Sequence, residues 1–437
     1  MLVPDRTILQ KNLITASDSI VCLEFLPSIS SRLDECILNP GDDNVEAIDL
    51  GKMSTYRLER VRSMLKASGI DAAVLFDPLN LRYATSCRNM QVWSSHHMVR
   101  YAFVPVTGRV VMFDYGGALH LSDSIELIDE VRPAKSWDYF GSGSRAEEHA
   151  TQWALEIADL LREVCGKDTV LGLDRADLLP LRALDKLGLH VVDAKGPLEL
   201  ARSVKSAEEV ELIRNSMQVC TDAIAYMREH VKPGVTENYL LSLLNQYNIE
   251  HGGEYQETRC LASGHHTNPW FVEASAKTIE AGEMLVFDSD LVGPNGIFTD
   301  QTRSFVVGDG RPTREQRTNY ALAYELLHHN LSLLRHGLSF HEFIDVSWKM
   351  PDLYVPNRYA EMVHGIGLGV EYPLVYFPQD APAWQYPGEF VEGMTVCVES
   401  YIGAVGGNDG VKLEQPALIT RNGAVPLSNC PFELDYL

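Results

Sequence analysis

Acidic side chains that interrupt apolar, strand-like segments are the chemically most informative feature of this sequence. A carboxylate buried in such surroundings is costly unless a positive charge accompanies it. Carboxylates together with an imidazole suit divalent cations, and two such ions about 3.5–4 Å apart are a common catalytic arrangement. The last third of the chain supplies a set of this kind, which predicts a two-metal site. Its predicted ligands are Asp288, Asp290, Asp300, His364, Glu399 and Glu414.

The spacing of the three aspartates predicts a β-hairpin that brings them together. In MLVFDSD, Asp288 and Asp290 are two residues apart and therefore point to the same face of a strand, opposite to Phe287. Asp300 follows a Gly-Pro-Asn-Gly turn at 293–296, which can return the chain antiparallel. The third carboxylate is then expected to lie opposite the first two.

A second predicted hairpin contributes one glutamate from each arm. Glu399 follows the apolar strand TVCV, and Glu414 lies in VKLE after the glycine-rich turn AVGGNDG. Each acid alone is more often a turn or cap residue, and His364 alone is more often a satisfied core imidazole. The joint pattern is what favours a metal site.

The elements that must position these residues divide the chain into three predicted parts. Residues 1–50 show no sustained period and are expected to form an irregular arm. Residues 51–197 alternate strands with helices, which predicts an α/β domain with a mixed or parallel sheet. Residues 198–437 predict an α+β domain, in which helices stack on an antiparallel sheet that presents the acids.

Local signals place several elements within these domains. A helix is predicted to begin at Ser54 and to end at Gly69, and AAVLF (72–76) is predicted to be a buried strand. Several pairs of residues have the spacing of a helix-capping box. These pairs are Ser144 with Glu147, Ser206 with Glu209, Thr313 with Gln316 and Ser339 with Glu342.

Composition limits the classes of partner. A chain of 437 residues is too long for one ordinary hydrophobic core, which predicts more than one domain. The formal net charge of -23 argues against nucleic acid or an anionic membrane as partner. The sequence has no apolar run of about 18 residues, and its first ten residues lack the secretory pattern, so we expect a cytoplasmic protein. The eight cysteines are scattered without a CxxC pair and are expected to be reduced.

The second half of the chain resembles the pita-bread superfamily of creatinase, prolidase, aminopeptidase P and methionine aminopeptidase. The resemblance rests on Arg202, Lys205 and Glu209, on the run 300–303 (DQTR) and on the run 364–367 (HGIG), with the two glutamates. The preceding α/β domain is similar to the N-terminal domain of creatinase and prolidase. This resemblance implies an α/β N-terminal domain followed by a pita-bread metal-binding domain.

A narrower resemblance is to the DddP-type dimethylsulfoniopropionate (DMSP) lyases of that superfamily. It rests on LFDPLNLRYAT (75–85), NMQVW (89–93), LASGHHTNPWF (261–271) and the doubled Asp288-x-Asp290. The resemblance implies the six metal ligands named above, with iron as the metal and zinc or manganese as competitors. It also implies a homodimer, to which the N-terminal arm is a candidate contributor.

Two departures from these families bear on the reaction. The peptidases carry two further histidines; here one position falls in the stretch 268–271 (NPWF) and the other is Glu371. The lyases carry an aspartate as the proposed base six residues after the histidine ligand, where this chain has Val370. Glu371 is therefore the candidate catalytic base, and a solvated loop carboxylate is its alternative role. A solvent-derived base at the metal centre, or a different reaction, remains open.

Aromatic side chains are candidates for binding a substrate cation, because ring faces attract sulfonium and ammonium groups. Trp93, Trp270 and Tyr359 are the predicted substrate contacts, and two of these three are expected to line the pocket. Tyr139 and Phe271 are further candidates. Packing in the core or at a dimer interface is the alternative for each.

Three functions follow from the sequence. The leading hypothesis is a metal-dependent lyase acting on a small carboxylated sulfonium or related onium zwitterion, which for DMSP gives acrylate and dimethyl sulfide. The alternative is a hydrolase, either an Xaa-Pro dipeptidase or aminopeptidase or a creatinase-like enzyme that cleaves C–N bonds. The third is a catalytically silent pita-bread protein that binds a partner.

Overall fold

The computed structural model describes residues 48–88 and 90–437. The predicted N-terminal arm at 1–50 lies almost entirely outside the described residues, as does Asn89 of the NMQVW segment. The first domain alternates helices and strands as the sequence predicts. Its elements are α1 (Leu50–Ala67), β1 (Ala72–Leu75), α2 (Pro78–Thr85), α3 (Gln91–His96), β2 (Tyr101–Pro105), β3 (Val111–Asp114), β4 (Glu130–Pro133), α4 (Tyr139–Ser142), α5 (Ala146–Val164), β5 (Val170–Leu173), α6 (Leu178–Lys186) and β6 (His190–Asp193).

A mixed sheet forms the centre of this domain, in the order β4-β3-β2-β1-β5-β6. β5 is parallel to β1 and β6, whereas β2 is antiparallel to β1 and β3. The apolar stripe of α5 covers the sheet, because Trp153, Ile157 and Leu161 are buried in the same core as Val74 and Phe103. The predicted α/β arrangement is thus present.

Two helix starts in this domain differ from the prediction. α1 begins before Ser54, because Asp49 caps it by accepting a hydrogen bond from the Lys52 N–H at 2.9 Å. The predicted capping box of Ser144 and Glu147 does not form. Ser144 lies inside a 3₁₀ turn, and Arg145 is the N-cap residue of α5 without a side-chain hydrogen bond.

The second domain begins with a connecting helix that includes the predicted domain boundary at Gly196–Pro197. Its helices and strands are those of an α+β fold. They are α7 (Lys195–Ser203), α8 (Ala207–Glu229), α9 (Glu237–Glu250), β7 (Tyr255–Gln256), β8 (Leu261–Ser263), β9 (Met284–Asp288), β10 (Leu291–Val292), β11 (Phe298–Thr299), β12 (Thr302–Val306), α10 (Arg314–Leu333), α11 (Phe340–Val346), β13 (Glu361–Ile366), β14 (Val370–Tyr376), α12 (Ala381–Trp384), β15 (Thr395–Ile402), β16 (Val411–Thr420) and β17 (Gly423–Pro426).

The predicted capping boxes of this domain are confirmed. Reciprocal side-chain and backbone hydrogen bonds begin α8 at Ser206, α10 at Thr313 and α11 at Ser339. Such a cap stabilises a helix by about 1 kcal/mol, because it satisfies backbone N–H groups that have no partner within the helix. The long helices therefore have fixed starting points against the sheets.

All strand pairs of the second domain are antiparallel among the described residues. One sheet has the order β14-β13-β15-β16-β17, a second β12-β9-β8 and a third β11-β10-β7. Leu285 and Phe287 of β9 pack into the core formed with α8 and α9. Val286 faces the opposite core, which includes residues of α10. The second domain is thus the predicted layer of helices on antiparallel sheets.

Two sheets adjoin where β12 lies beside β16. The Ser304 hydroxyl donates to the Lys412 carbonyl at 2.6 Å and accepts from the Lys412 N–H at 3.2 Å. The Arg303 guanidinium donates to the Glu414 carbonyl at 2.6 Å. These contacts bring the aspartate-bearing hairpin against the glutamate-bearing hairpin.

Two further observations concern the chain as a whole. Within residues 48–88 and 90–437, no helix is long and apolar enough to cross a membrane. The described cysteines are free thiols: Cys87, Cys165, Cys220, Cys260, Cys397 and Cys430.

Candidate metal centre

The three aspartates come together because β9 and β12 are antiparallel neighbours. Thr302 pairs with Asp288, and the turn between β10 and β11 returns the chain as predicted. Asp290 lies just past the end of β9 and has a positive φ of 40°, so it does not share a strand face with Asp288 as the spacing predicts. Ligand atoms of Asp288, Asp290 and Asp300 lie within 4.8 Å of one another.

The remaining ligands lie on one face of the five-stranded sheet. His364 of β13 pairs with Cys397 of β15, and Glu399 pairs directly with Glu414 of β16. His364 Nε2 is 3.3 Å from Glu399 Oε1, 3.5 Å from Asp300 Oδ2 and 3.6 Å from Glu414 Oε1. The structure therefore brings all six predicted ligands into one cluster.

Two overlapping groups within this cluster have the size of metal sites. One is the aspartate trio, and the other contains Asp300, His364, Cys397 and Glu414, again within 4.8 Å. Ligands with bonds of about 2.0–2.3 Å to one ion lie at most about 4.6 Å apart. Because Asp300 belongs to both groups, its carboxylate would be shared by the two ions.

The chemistry of the donors fits a pair of divalent cations. Asp300 Oδ1 and Glu414 Oε1 are buried and have no hydrogen-bond partner among the residues that the structure describes. Burial raises the pKa of Asp290 and of Asp300 well above the usual range, and the charges of neighbouring carboxylates raise both further. Burial, with the charge of Glu414, also raises the pKa of Glu399 to about 7. Bound cations would satisfy these oxygens and remove the repulsion.

Lys412 is a member of the centre that the sequence prediction missed. Its Nζ lies 2.7 Å from Asp288 Oδ2 and 2.9 Å from Glu399 Oε2, and the side chain is fully buried. The signal that reveals it is strand alternation, because Lys412 precedes Glu414 by two residues and shares its face. With a neutral imidazole, five carboxylates are balanced by this one ammonium and two divalent cations.

Two of the three predicted aromatic contacts lie at the centre. The Lys412 ammonium is 5.1 Å from the ring centroid of Tyr359 and 6.0 Å from that of Trp270. The exposed Phe271 ring stacks on Tyr359 at 5.1 Å.

The other two aromatic candidates belong to the first domain. The ring of Trp93 contacts His97 and Tyr115, and Trp93 lines an open cleft with Tyr255. Tyr139 is 77% exposed on α4. Among the described residues, the rings of Trp93 and Tyr139 make no contact with those of Trp270 and Tyr359.

The structure places the Glu371 carboxylate, the predicted catalytic base, in an ion-pair cluster and not among the candidate metal ligands. Glu371 pairs with Gly365 across β13 and β14, which places it on the face opposite to His364. Its carboxylate is buried and accepts from Arg202 Nε at 3.0 Å and from Lys205 Nζ. A carboxylate paired with two buried cations joins elements of the fold, which is unfavourable for base catalysis. Its burial excludes the alternative role of a solvated loop carboxylate.

No imidazole replaces the histidines of the peptidases within the described residues. His265 and His266 lie in the 3₁₀ turn Gly264–Thr267, and His266 Nδ1 is 3.4 Å from Glu237. The stretch 268–271 beyond them begins with Asn268, whose amide donates to the Ala404 carbonyl at 2.7 Å. The second histidine position is the buried Glu371.

Comparisons with known proteins agree with this geometry. Residues 57–204 match the model of the creatinase/prolidase N-terminal domain, and residues 211–421 match that of metallopeptidase family M24. The chain is 35% identical to the dimethylsulfoniopropionate lyase DddP of Roseovarius nubinhibens over 390 residues, covering 88% of this chain and 87% of that protein. This chain belongs to the pita-bread superfamily. The dimethylsulfoniopropionate lyase DddP of Roseobacter denitrificans is also 35% identical to this chain, with the same coverage.

Peptidases of the M24 family are more distant in sequence but share the fold. The Xaa-Pro dipeptidase of Pyrococcus furiosus is 28% identical over 237 residues, or 53% of this chain and 65% of that protein. The solved Xaa-Pro dipeptidase of Bacillus anthracis superposes with a TM-score of 0.70 at 21% identity, covering 87% of this chain and 99% of that one. The pita-bread fold is thereby confirmed, and this family member is a metal-dependent enzyme with a dinuclear centre.

Proposed function

We propose that this enzyme is a C–S lyase that cleaves DMSP, or a closely related sulfonium zwitterion, into acrylate and dimethyl sulfide. The observation that carries the proposal is the 35% identity to two DMSP lyases across 88% of the chain. The convergence of all six predicted ligands, including the doubled Asp288 and Asp290, supports it.

The centre has complementary parts for the two ends of such a substrate. The rings of Trp270 and Tyr359 lie 6.0 and 5.1 Å from the Lys412 ammonium at the centre. Rings of this kind bind a sulfonium cation with about 0.5–2 kcal/mol per contact, and we propose these two for that role. When bound, the metal ions supply Lewis acidity to the substrate carboxylate and stabilise negative charge that develops beside it. Asp288, Asp290, Asp300, His364, Glu399 and Glu414 would hold the ions.

The reaction is an elimination in which the chain's own residues orient the substrate. The carbon next to the carboxylate gives up a proton, which is released to solvent. The C–H electron pair forms the C=C bond, and the C–S electron pair leaves with dimethyl sulfide. Since Glu371 is engaged with Arg202 and Lys205, the proposal does not use it as the base.

Hydrolysis of Xaa-Pro peptides is the second candidate, favoured by the match to the M24 family model. Peptidases of this fold use two histidines that the centre lacks in the part of the chain that is described. Without those donors, the scissile carbonyl has fewer groups to stabilise its developing charge. The lyase is therefore the better-supported proposal, and the complete ligand set argues against a silent binding protein.

Iron is the metal we propose, with zinc or manganese as competitors, because carboxylate and imidazole donors suit all three. A homodimer in the cytoplasm is proposed on the same resemblance to the lyases. The substrate is a small zwitterion in either of the first two hypotheses.

The proposed function is tested by measuring headspace dimethyl sulfide from purified, iron-loaded enzyme given DMSP. The control is Asp300→Asn, which removes the carboxylate shared by both metal groups while keeping its shape. Parallel samples receive Xaa-Pro dipeptides. We expect dimethyl sulfide from the unmodified enzyme alone, and release no greater than that of the variant would rule out the lyase.

A further inference from the structure

Cys397 places a sulfur atom inside the metal centre. It lies on β15 directly opposite His364 of β13 and two residues before Glu399, so all three side chains share one face of the sheet. The residue is completely buried. Its position follows from the strand register that builds the site, and not from a side chain reaching in from a loop.

The sulfur is within coordinating reach of the ion held by its neighbours. Sγ, His364 Nε2 or Nδ1 and one oxygen each from Asp300 and Glu414 lie within 4.8 Å of one another. A thiolate, an imidazole and two carboxylates form a four-donor set of the kind that binds zinc and other borderline metals. The aspartate trio beside it offers oxygen donors alone.

The surroundings of the sulfur contain unsatisfied acceptors that point to an ion. Asp300 Oδ1 and Glu414 Oε1 are buried in this group without a hydrogen-bond partner in the described part of the chain. The thiol donates a weak hydrogen bond, at 3.4 Å, to the Asp300 backbone carbonyl. The sulfur therefore lies against the backbone of one ligand and beside the free oxygens of two.

We propose that Cys397 is a seventh ligand, which adds sulfur to the position that already has a nitrogen donor and leaves the other position with oxygen donors alone. Coordination replaces the S–H bond by a metal–sulfur bond, and the proton leaves to solvent. Because a thiolate favours iron, zinc and cobalt over magnesium and calcium, Cys397 would make the first position selective for softer ions. This inference rests on the dinuclear centre and not on DMSP as substrate.

Cobalt substitution tests the ligand directly, because a sulfur–cobalt bond gives a charge-transfer band in the near ultraviolet and oxygen or nitrogen ligands do not. The full-length enzyme is loaded with Co²⁺ and compared with Cys397→Ser and with Cys87→Ser. Cys87 is also a buried thiol but lies in the first domain beside Arg100. X-ray absorption at the zinc edge of zinc-loaded enzyme adds a distance, since a sulfur ligand scatters at about 2.3 Å.

The expected result is a band and a sulfur scatterer that persist in Cys87→Ser and vanish in Cys397→Ser, with circular dichroism unchanged. Loss of an outer-shell partner alone weakens metal binding about 10–100-fold, so Cys397→Ser is expected to weaken it by at least about tenfold. Two bound cobalt ions without the band, or a band that survives in Cys397→Ser, would overturn the proposal and leave the dinuclear centre standing. An unmodified enzyme that binds no cobalt would contradict both.

Discussion

Lys412 shows how a single buried charge can organise a metal centre. Its ammonium contacts Asp288 and Glu399 and lies 3.5 Å from Glu414, while the Thr302 hydroxyl accepts from it at 2.9 Å. Burial acts to lower the pKa of Lys412, but the surrounding carboxylates raise it well above the usual range. The side chain therefore stays charged and offsets part of the carboxylate repulsion.

Replacing Lys412 by Met is expected to make the enzyme depend more on its metal for stability. Methionine keeps the length of the side chain but removes the ammonium, and removing one partner of a buried ion pair costs about 3–5 kcal/mol. Bound cations replace the lost charge, so the rise in Tm on adding metal to chelator-treated protein should be larger in Lys412→Met. Differential scanning calorimetry measures it.

Lys277→Met is the matched control, because Lys277 pairs with Glu283 away from the centre. This variant should show the same metal-dependent rise in Tm as the unmodified enzyme. An equal rise in Lys412→Met would mean that the ammonium does not offset the charge of the ligands.

The six ligands could be predicted from residue type and spacing, because acids in apolar strands are rare without a cation. Lys412 and Cys397 obey the same alternation but carry types that are common in strands for other reasons. Glu371 shows a position for which sequence and structure point to different roles. Its position next to Val370 indicates a role in the chemistry, yet the strand register turns it to the other face.

At the scale of elements, Glu371 joins β14 to the helix that connects the domains. Arg202 of α7 donates to Glu371 and also to Asn80 of α2, while Glu199 of α7 accepts from the Tyr372 N–H at 3.1 Å. A Cβ atom on Gly367 would lie 2.4 Å from Glu371 Oε1, which explains why this turn needs glycine. The cluster links the first domain to the sheet that carries His364.

Glu371→Gln is expected to destabilise the fold without a specific loss of chemistry. The amide keeps the shape but leaves Lys205 without its counter-charge and Arg202 with only that of Glu199, at a cost of about 3 kcal/mol in the free energy of unfolding. Urea denaturation measures the change, and turnover per folded molecule should stay within a few-fold of the unmodified enzyme. A variant of normal stability with abolished turnover would restore Glu371 as the base.

The surface pair of Arg145 and Glu148 provides the control for this experiment. Both side chains are largely exposed, so Glu148→Gln should leave the unfolding transition unchanged within error.

The helix caps show why some element boundaries followed from sequence and others did not. Ser206 and Ser144 both precede a glutamate by three residues, but only Ser206 has the extended backbone that a cap requires, with φ -74° and ψ 168°. At Ser144 a 3₁₀ turn already leads into α5. The packing of the residues before the helix determines whether the capping box forms. The sequence pattern of the box carries no information about that packing.

At the scale of the whole molecule, the fold brings together residues that lie far apart in the chain. The hairpin of β9 and β12 carries the aspartates, and the sheet of β13, β15 and β16 carries the imidazole and the glutamates. The contact between β12 and β16 determines their separation. The domain order and fold class were predictable from alternation and motif, whereas this junction of two sheets was not, because it depends on long-range packing.

The first domain does not contribute Trp93 to the centre of its own chain. Trp93 lies on α3 beside Tyr115, while Trp270 and Tyr359 lie at the metals. The three rings share lyase-like segments of the sequence, but spacing along the chain does not determine which of them meet. Only the structure shows which of these rings lie together.

The most direct test of the account is an anomalous-scattering map of crystals of the enzyme loaded with iron or zinc. Two peaks per chain are expected, about 3.5–4 Å apart, with the Asp300 carboxylate between them and ligands from both hairpins. Crystals of Asp300→Asn should lose at least one of the peaks. A fully loaded crystal with no peak among these six side chains, or with ions bound only elsewhere, would contradict the account.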